Sequence, residues 1–296
     1  VMACVPGIYE RIFKMISKSL EKQGKLQQIL EDEEKYKNAT MEKKKEVFKD
    51  IHDMLGGNIK LFISGAASLD KSIEEKYRML GLNLVQGYGL TETSPVVGVG
   101  TKKYHKVGSI GKAVPSVSVK IVNPNKDGMG ELAVKGNSIM LGYFENEEAT
   151  KEVMQDGWFL TGDLAKIDEE GYIFICGRKK NVIVLKNGKN IFPEEMETLI
   201  NKEDGVEESF IFGKPISKDP NDIKIFVKIV YNKESFEGKT ENEINEYFNE
   251  KIKSINKTMP HYKAIRGIII SDKPLIKTTT NKIKREKNLE QIMKEL

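Results

Sequence analysis

Gln86-Gly87-Tyr88-Gly89-Leu90-Thr91-Glu92-Thr93-Ser94-Pro95 is the stretch on which the reading of this chain turns. It continues a run, Leu82 to Gln86, that reads as a strand. Two glycines around an aromatic ring let the backbone approach a flat ligand while the ring stacks on it. Thr91 and Glu92 then place a hydroxyl and a carboxylate at the same mouth. Such oxygens suit a nucleotide with a hard cation, Glu92 being the candidate Mg²⁺ ligand. Spacing alone suits a glycine-rich turn with a capping threonine equally well.

Immediately upstream, Ile59 to Ser64 reads as a buried strand, Ser64-Gly65-Ala66-Ala67 as a small-residue turn, and Asp70 to Leu80 as a helix. Strand, turn, helix and strand in this order predict a parallel α/β unit. Its ligands would sit at the carboxyl ends of the strands, so the 64–67 and 86–89 loops should face one crevice. Farther upstream, Pro6 to about Asp53 has helical spacing, with a solvated middle of 8 acidic and 8 basic residues from Glu21 to Asp50.

Downstream of Val107 the texture becomes short β-runs at Val117 to Val122, Glu131 to Lys135, Phe159 to Leu164 and Tyr172 to Cys176, a small antiparallel sheet or barrel. Past Arg178 the pattern changes again. A hairpin at Asn187-Gly188, a helix opened by Pro193, strands at Val206 to Phe212 and Ile223 to Tyr231, a helix near Glu241 to Lys257 and a strand at Ile265 to Ile270 predict a compact α+β domain. The boundary falls at Gly177 to Lys180.

A chain of 296 residues exceeds one average domain, and 39% hydrophobic residues with only 9 prolines describe globular units that can bury cores. The charge sum is 48 − 44 = +4, and Lys273 to Leu296 alone supplies 7 − 3 = +4. The body is therefore neutral, which argues against a nucleic-acid partner. Cys4 and Cys176 are far apart without a companion His cluster, which argues against a disulfide framework and a zinc site and fits a reducing cytoplasm. No apolar run approaches the roughly 20 residues of a membrane span, although the basic tail is suited to peripheral contact with anionic lipid. The start at Val1, inside what reads as an element, suggests a fragment.

Three further stretches carry chemistry, each with a plainer alternative. Phe159-Leu160-Thr161-Gly162-Asp163 ends a strand with a carboxylate suited to a ribose diol, or forms a simple Gly-Asp turn. Gly177-Arg178-Lys179-Lys180-Asn181 sets Arg178 against a nucleotide, or is a solvated linker. Thr278-Thr279-Thr280-Asn281-Lys282-Ile283-Lys284-Arg285 carries a lysine able to bring a point charge to a reacting carboxylate and phosphate, or is a basic tail.

In order, QGYGLTETSP, GELAVKGNSIMLGYF, GWFLTGD, GYIFICGRKKNVIVLKNGKNIFPEEME and TTTNKIKR resemble the carboxyl-terminal half of the AMP-forming acyl-CoA synthetase (acyl-adenylate ligase) superfamily. The resemblance runs from about Val5 to Arg285, and the segments Val5 to Ile12 and Ser64 to Asp70 look most like long-chain fatty acid ligases. It implies the carboxyl-terminal part of a large α/β adenylate-forming domain over residues 1–178, with an α/β part over 1–106 and a β-barrel-like part over 107–178. A small hinged α+β domain then follows over 179–296.

The resemblance also implies roles. Gly65, Ala66, Ala67, Gln86, Gly87 and Gly89 would hold adenine, with Tyr88 stacked on it; Thr91 would contact the α-phosphate and Glu92 the Mg²⁺. Asp163 would bind the ribose hydroxyls with help from Arg178, and Lys180 would be the hinge. Lys282 would enter the site for adenylation, while Lys186 and Gly188 lie in the loop facing the pantetheine path of CoA. In the implied reaction a fatty carboxylate attacks the α-phosphate of ATP to give acyl-adenylate and pyrophosphate, after which the CoA thiol displaces AMP.

Two departures stand out. The superfamily's Ser/Thr/Gly-rich loop ending in Pro-Lys-Gly is not in these 296 residues, so the isolated chain is expected to be inactive. Asn281 also replaces the usual Gly before the lysine, a change that the tolerance of Asn for left-handed angles accommodates. Two competing expectations are an adenylating enzyme serving a carrier protein, and a truncated, non-catalytic nucleotide-binding protein.

Overall fold

A computed structural model describes residues 1–22, 24, 36, 38–219, 221–279 and 282–295. The helical reading of residues 25–35 and the departure at Asn281 lie outside the described residues. The chain divides into two compact units, Val1–Cys176 and Gly177–Leu296.

In the first unit, strands β1 (Met2–Cys4), β2 (Phe62–Ser64) and β3 (Leu84–Gly89) pair in parallel. Strands β4 (Val96–Val99) and β5 (Lys112–Ala113) extend the sheet antiparallel, in the order β1-β2-β3-β4-β5. The parallel reading thus holds for its first three strands. The connection from Gly89 to Val96 is too short for a crossover and forces the next strand to run back.

Helices α1 (Pro6–Lys22), α2 (Met41–Val47), α3 (Lys49–Met54) and α4 (Lys71–Met79) belong to this layer. Helix α4 starts where the sequence predicts, because the Asp70 side chain accepts a hydrogen bond from Ser72 N at 2.7 Å. Tyr9, Phe62 and Tyr77 meet edge to face at 5.9–6.1 Å between centroids, anchoring a core that also holds Ile16, Leu20 and Leu84. Burial of each such side chain contributes about 1.5–3 kcal/mol. Burial also pushes the Tyr9 hydroxyl up to about 12, so it remains a donor beside the carbonyls of Met2 and Ile63.

The second sheet of this unit is antiparallel, ordered β10-β9-β7-β6, from β6 (Val117–Val122), β7 (Gly130–Gly136), β9 (Trp158–Ile167) and β10 (Ile173–Arg178). The short β8 (Met154–Gln155), which follows helix α5 (Glu147–Val153), pairs with β9. The order is an open path, which corrects the barrel-like expectation to a sheet. Four main strands are too few to close into a cylinder.

The second unit contains a hairpin of β11 (Ile183–Val184) and β12 (Asn190–Ile191), helix α6 (Pro193–Ile200), and a sheet of β13 (Val206–Pro215), β14 (Ile223–Tyr231) and β15 (Ile265–Ser271). Helix α7 (Glu241–Thr258) has a reciprocal cap between Thr240 and Glu243 and buries Ile244, Phe248, Ile252 and Ile255. A last helix, α8 (Arg285–Glu295), was not foreseen. Its covered face holds only Asn288 and Ile292, too little apolar signal to stand out in a basic tail.

Candidate functional site

Ser64, the last residue of β2, pairs with Gln86 inside β3, so Gln86–Gly89, predicted as a loop, is strand, paired onward with β4 through Gly87, Tyr88 and Gly89 and running beside the 64–67 turn. A Cβ on Gly65 would lie 3.6 Å from the carbonyl of Gly87, ordinary contact between the turn and β3. Ala66 adopts φ +69, and the Ser64 hydroxyl is buried without a hydrogen-bond partner where the loops begin. Gly89 has no alternative: a Cβ there would stand 1.6 Å from the carbonyl oxygen of Pro95. That close approach folds Leu90–Pro95 back over itself, with Leu90 N donating to Pro95 O at 3.0 Å.

Gln86 itself faces inward. Its Nε2 donates to Glu74 Oε2 at 3.0 Å and its Oε1 accepts from Leu69 N at 3.4 Å. Glu74 on α4 is fully buried and also accepts from Gly108 N at 2.9 Å and meets His105 Nε2 at 2.6 Å. One carboxylate therefore joins the helix, the third strand and the 105–108 loop beneath the candidate nucleotide loops. Nothing in the sequence singles out Glu74: an acidic residue four positions after a helix cap is unremarkable without knowledge of what covers it.

Asp163 is neither at a strand end nor in a turn, contrary to both readings of its sequence; it sits within β9. The pairing of β7 with β9 shifts between Glu131↔Leu164 and Ala133↔Leu160, so three residues oppose one, a bulge at 161–163. Thr161 Oγ1 donates to Leu132 O at 2.8 Å and accepts from Asp163 N at 3.1 Å. Gly162, at φ +70, donates its N–H to Glu131 Oε1 at 3.1 Å. The bulge turns the Asp163 carboxylate to accept the hydroxyl of Tyr88. A carboxylate has about four acceptor positions, so this bond does not exhaust it.

Thr91 and Glu92 lie in a 3₁₀ turn, Thr91–Thr93, with Thr91 exposed. Glu92 Oε1 accepts from Tyr143 Oη at 3.1 Å, and its backbone carbonyl accepts from Met140 N at 2.8 Å. Tyr143 belongs to the quoted GELAVKGNSIMLGYF stretch but carried no assigned role, because a contact across 51 residues leaves no local signal. Among the described residues no three His, Cys, Asp or Glu side chains gather as a metal cage. A single carboxylate fits Mg²⁺ that arrives held mainly by phosphate oxygens.

The remaining predicted residues belong to the second unit. Arg178 ends β10, and Lys180 is exposed in the turn Lys179–Asn181. Lys186 pairs with Asp219 at 2.9 Å, and Gly188, at φ +74, closes the β11–β12 hairpin. Beside that hairpin runs a groove of about 460 Å³ whose lining includes Lys186, Asn187, Lys224, His261 and Arg266. Lys282 is exposed, with its backbone bonded to Thr278.

Residues 1–144 match the AMP-binding enzyme family, and residues 180–296 match the AMP-binding enzyme C-terminal domain. The chain is 38% identical over 194 residues to the long-chain-fatty-acid–CoA ligase FadD15 of Mycobacterium bovis, a match covering 65% of this chain and 30% of that protein. With the long-chain-fatty-acid–CoA ligase of Salmonella typhimurium it shares 36% identity over 187 residues, 60% of this chain and 33% of that protein. The chain thus spans about a third of the length of these relatives. Among solved structures, ATP-bound MatB from Rhodopseudomonas palustris superposes with a TM-score of 0.64 at 29% identity, covering 81% of this chain and 46% of that one. The o-succinylbenzoate CoA synthetase MenE of Bacillus subtilis, in complex with its acyl-adenylate intermediate, gives 0.63 at 26% identity, covering 79% and 48%. Among the described residues no helix is long and apolar enough to cross a membrane.

Proposed function

Since the chain belongs to the AMP-binding enzyme family, we propose that it works in an AMP-forming ligase that activates a long-chain fatty acid as acyl-adenylate and passes the acyl group to CoA. The observation that carries this reading is the bond between Tyr88 and Asp163, which joins the glycine-rich end of β3 to a bulge-mounted carboxylate in one unit. The names of the relatives supply the substrate class.

In this reading the turn at 64–67 and the strand segment 86–89 admit the adenine, and the Tyr88 ring lies against it with its hydroxyl tethered by Asp163. Gln86 acts from beneath, through its backbone, because its side chain is engaged by Glu74. Asp163 accepts the ribose hydroxyls, and Arg178 assists. Thr91 donates its hydroxyl to the α-phosphate. Glu92, oriented by Tyr143, is the protein oxygen that would hold Mg²⁺, whose positive charge offsets that of the phosphates.

Lys282 brings a point charge to the reacting carboxylate and α-phosphate, where negative charge builds in the transition state. Lys180, in the turn after the unit break, is the hinge between the two half-reactions. Lys186 and Gly188 belong to the hairpin assigned to the thiol-bearing arm of CoA, and the cationic lining of the adjacent groove suits the phosphates of that substrate.

The test is pyrophosphate release by the full-length protein across a panel of carboxylic acids, with and without CoA. Long-chain fatty acids should give the highest kcat/KM and form thioester only when CoA is present. No pyrophosphate release with any acid would overturn the reading.

A further inference from the structure

Lys282 stands on a structure more firmly built than a charged chain end requires. Residues 276–278 and 282–284 run antiparallel, with a bridge between Lys277 and Ile283. Thr278 N donates to Lys282 O at 2.8 Å and Lys284 N to Ile276 O at 2.9 Å, while Lys282 N donates to Thr278 Oγ1 at 3.1 Å. The lysine therefore leaves from one arm of a laced hairpin.

Two polar fixings, one buried and one half-buried, hold the base of that hairpin. Asn288, in the first turns of α8 and 4% exposed, accepts from Ile276 N at 2.9 Å through Oδ1. Through Nδ2 it donates to Ile276 O and Lys284 O, both at 2.9 Å. One amide thus satisfies three backbone groups on both arms. Asparagine is a poor helix former, and its place here is explained by what its side chain reaches.

Arg285, the first residue of α8, makes a two-pronged pair with Glu197 at 2.8 and 3.0 Å and donates to Ile211 O at 2.8 Å. A cation at a helix amino terminus opposes the helix dipole, so its position reflects this pairing. Arg285 fastens the helix to α6 and β13, and Asn288 fastens the hairpin to the helix.

We propose that Asn288 is a positioning residue for Lys282, clasping the two arms of the hairpin so that the lysine is presented from a fixed point during adenylation. The inference rests on the assignment of Lys282 to that half-reaction. A flexible lysine on a loose loop would spend little time in register with the reacting atoms, and displacement by about 1 Å can cost roughly a hundredfold in rate.

The test compares wild type, Asn288→Ala, Lys282→Ala and the double variant in the full-length protein. Two half-reactions are followed: pyrophosphate release on adenylation, and thioester formation from supplied acyl-adenylate. Asn288→Ala should lower adenylation kcat about tenfold or more, leave KM for ATP and the transfer step within about twofold, and speed amide exchange at Ile276, Thr278 and Lys284. The double variant should adenylate no more slowly than Lys282→Ala, because both changes act through one lysine.

Adenylation within twofold of wild type, equal losses in both half-reactions, or multiplying losses in the double variant would each overturn the clasp. If Lys282→Ala fails to impair adenylation selectively, the assignment of the lysine falls instead, whatever Asn288→Ala does. Should Asn288→Ala not fold, Asn288→Ser retains a polar group and should show the same selective loss at smaller size; unchanged adenylation in that variant is the overturning result.

Discussion

The hydroxyl of Tyr88 donates to the carboxylate of Asp163, 75 residues away, linking the last strand of the parallel sheet to the bulge of the antiparallel one. Tyr88 is placed by the β3–β4 pairing, which shifts register between Tyr88 and Gly89, and Asp163 by the shift between β7 and β9. Two irregularities in two sheets thus converge on one hydrogen bond. Regular ladders would send both side chains along their own sheet faces.

Asp163→Asn should weaken AMP binding about tenfold or more, because the neutral amide loses charge-assisted bonds to the ribose hydroxyls. Its Oδ1 can still accept from Tyr88, so the melting temperature should move little. Asp163→Ala, by contrast, removes the carboxylate that accepts from Tyr88 and should cost about 1–3 kcal/mol in addition. Titration calorimetry and thermal melts of both variants check this, and equal AMP affinity in Asp163→Asn and wild type would remove Asp163 from the nucleotide site.

Glu92→Gln should reduce acyl-adenylate formation about a hundredfold by removing the anionic oxygen assigned to Mg²⁺. Tyr143→Phe only releases one constraint on Glu92, whose backbone stays tied through Met140 N. Its loss should stay below about tenfold and appear chiefly as a higher Mg²⁺ requirement. Pyrophosphate release measured over a Mg²⁺ series separates the two, and a Glu92→Gln enzyme with near-normal turnover would refute the metal role.

Elements marked by local chemistry were legible in the sequence. Asp70 capping α4, Pro193 opening α6, Asn187-Gly188 closing a hairpin and the Thr240/Glu243 cap all act within a few residues of themselves. The bulge at 161–163 was not legible, since it exists only relative to the pairing of β9 with β7. Gln86 reads as a loop-lining polar residue until Glu74 is seen beneath it. Tyr143, Glu74 and Asn288 act through contacts whose partners lie elsewhere in the chain or on a helix with too small an apolar face to announce itself.

His52 should make the first unit sensitive to mild acid. It is buried on α3 with Nε2 against the carbonyl of Leu80 at 3.0 Å, and burial lowers its pKa, opposed by that hydrogen bond and with Lys45 lowering it further. A depressed folded pKa means the unfolded chain binds the proton more tightly. The stability is therefore complete above the ordinary histidine value near 6.5 and is lost as pH falls below it toward the folded pKa. Denaturant unfolding at pH 7.5, 6.5 and 5.5 should show a decline of up to about 1.4 kcal/mol per pH unit from this group. His52→Gln should flatten the decline between pH 7.5 and 5.5; an unchanged slope would assign it to other groups.

Glu74 is the residue whose loss should travel farthest. Its buried carboxylate accepts from the buried Gln86 Nε2 and from the half-buried Gly108 N and meets His105, so Glu74→Ala takes the acceptor from at least two donors. Each costs about 1–3 kcal/mol, and the pair should lower stability by about 3 kcal/mol. The effect on function follows from position: Gln86 immediately precedes Gly87 and Tyr88, and its Oε1 holds Leu69 N after the 64–67 loop. Glu74→Gln retains the shape and one acceptor oxygen, and should fold while binding AMP more weakly than wild type by several-fold. Chemical denaturation and AMP titration of both variants decide the matter. Normal AMP affinity in a Glu74→Gln protein of reduced stability would show that this buried carboxylate supports the fold without aligning the nucleotide loops.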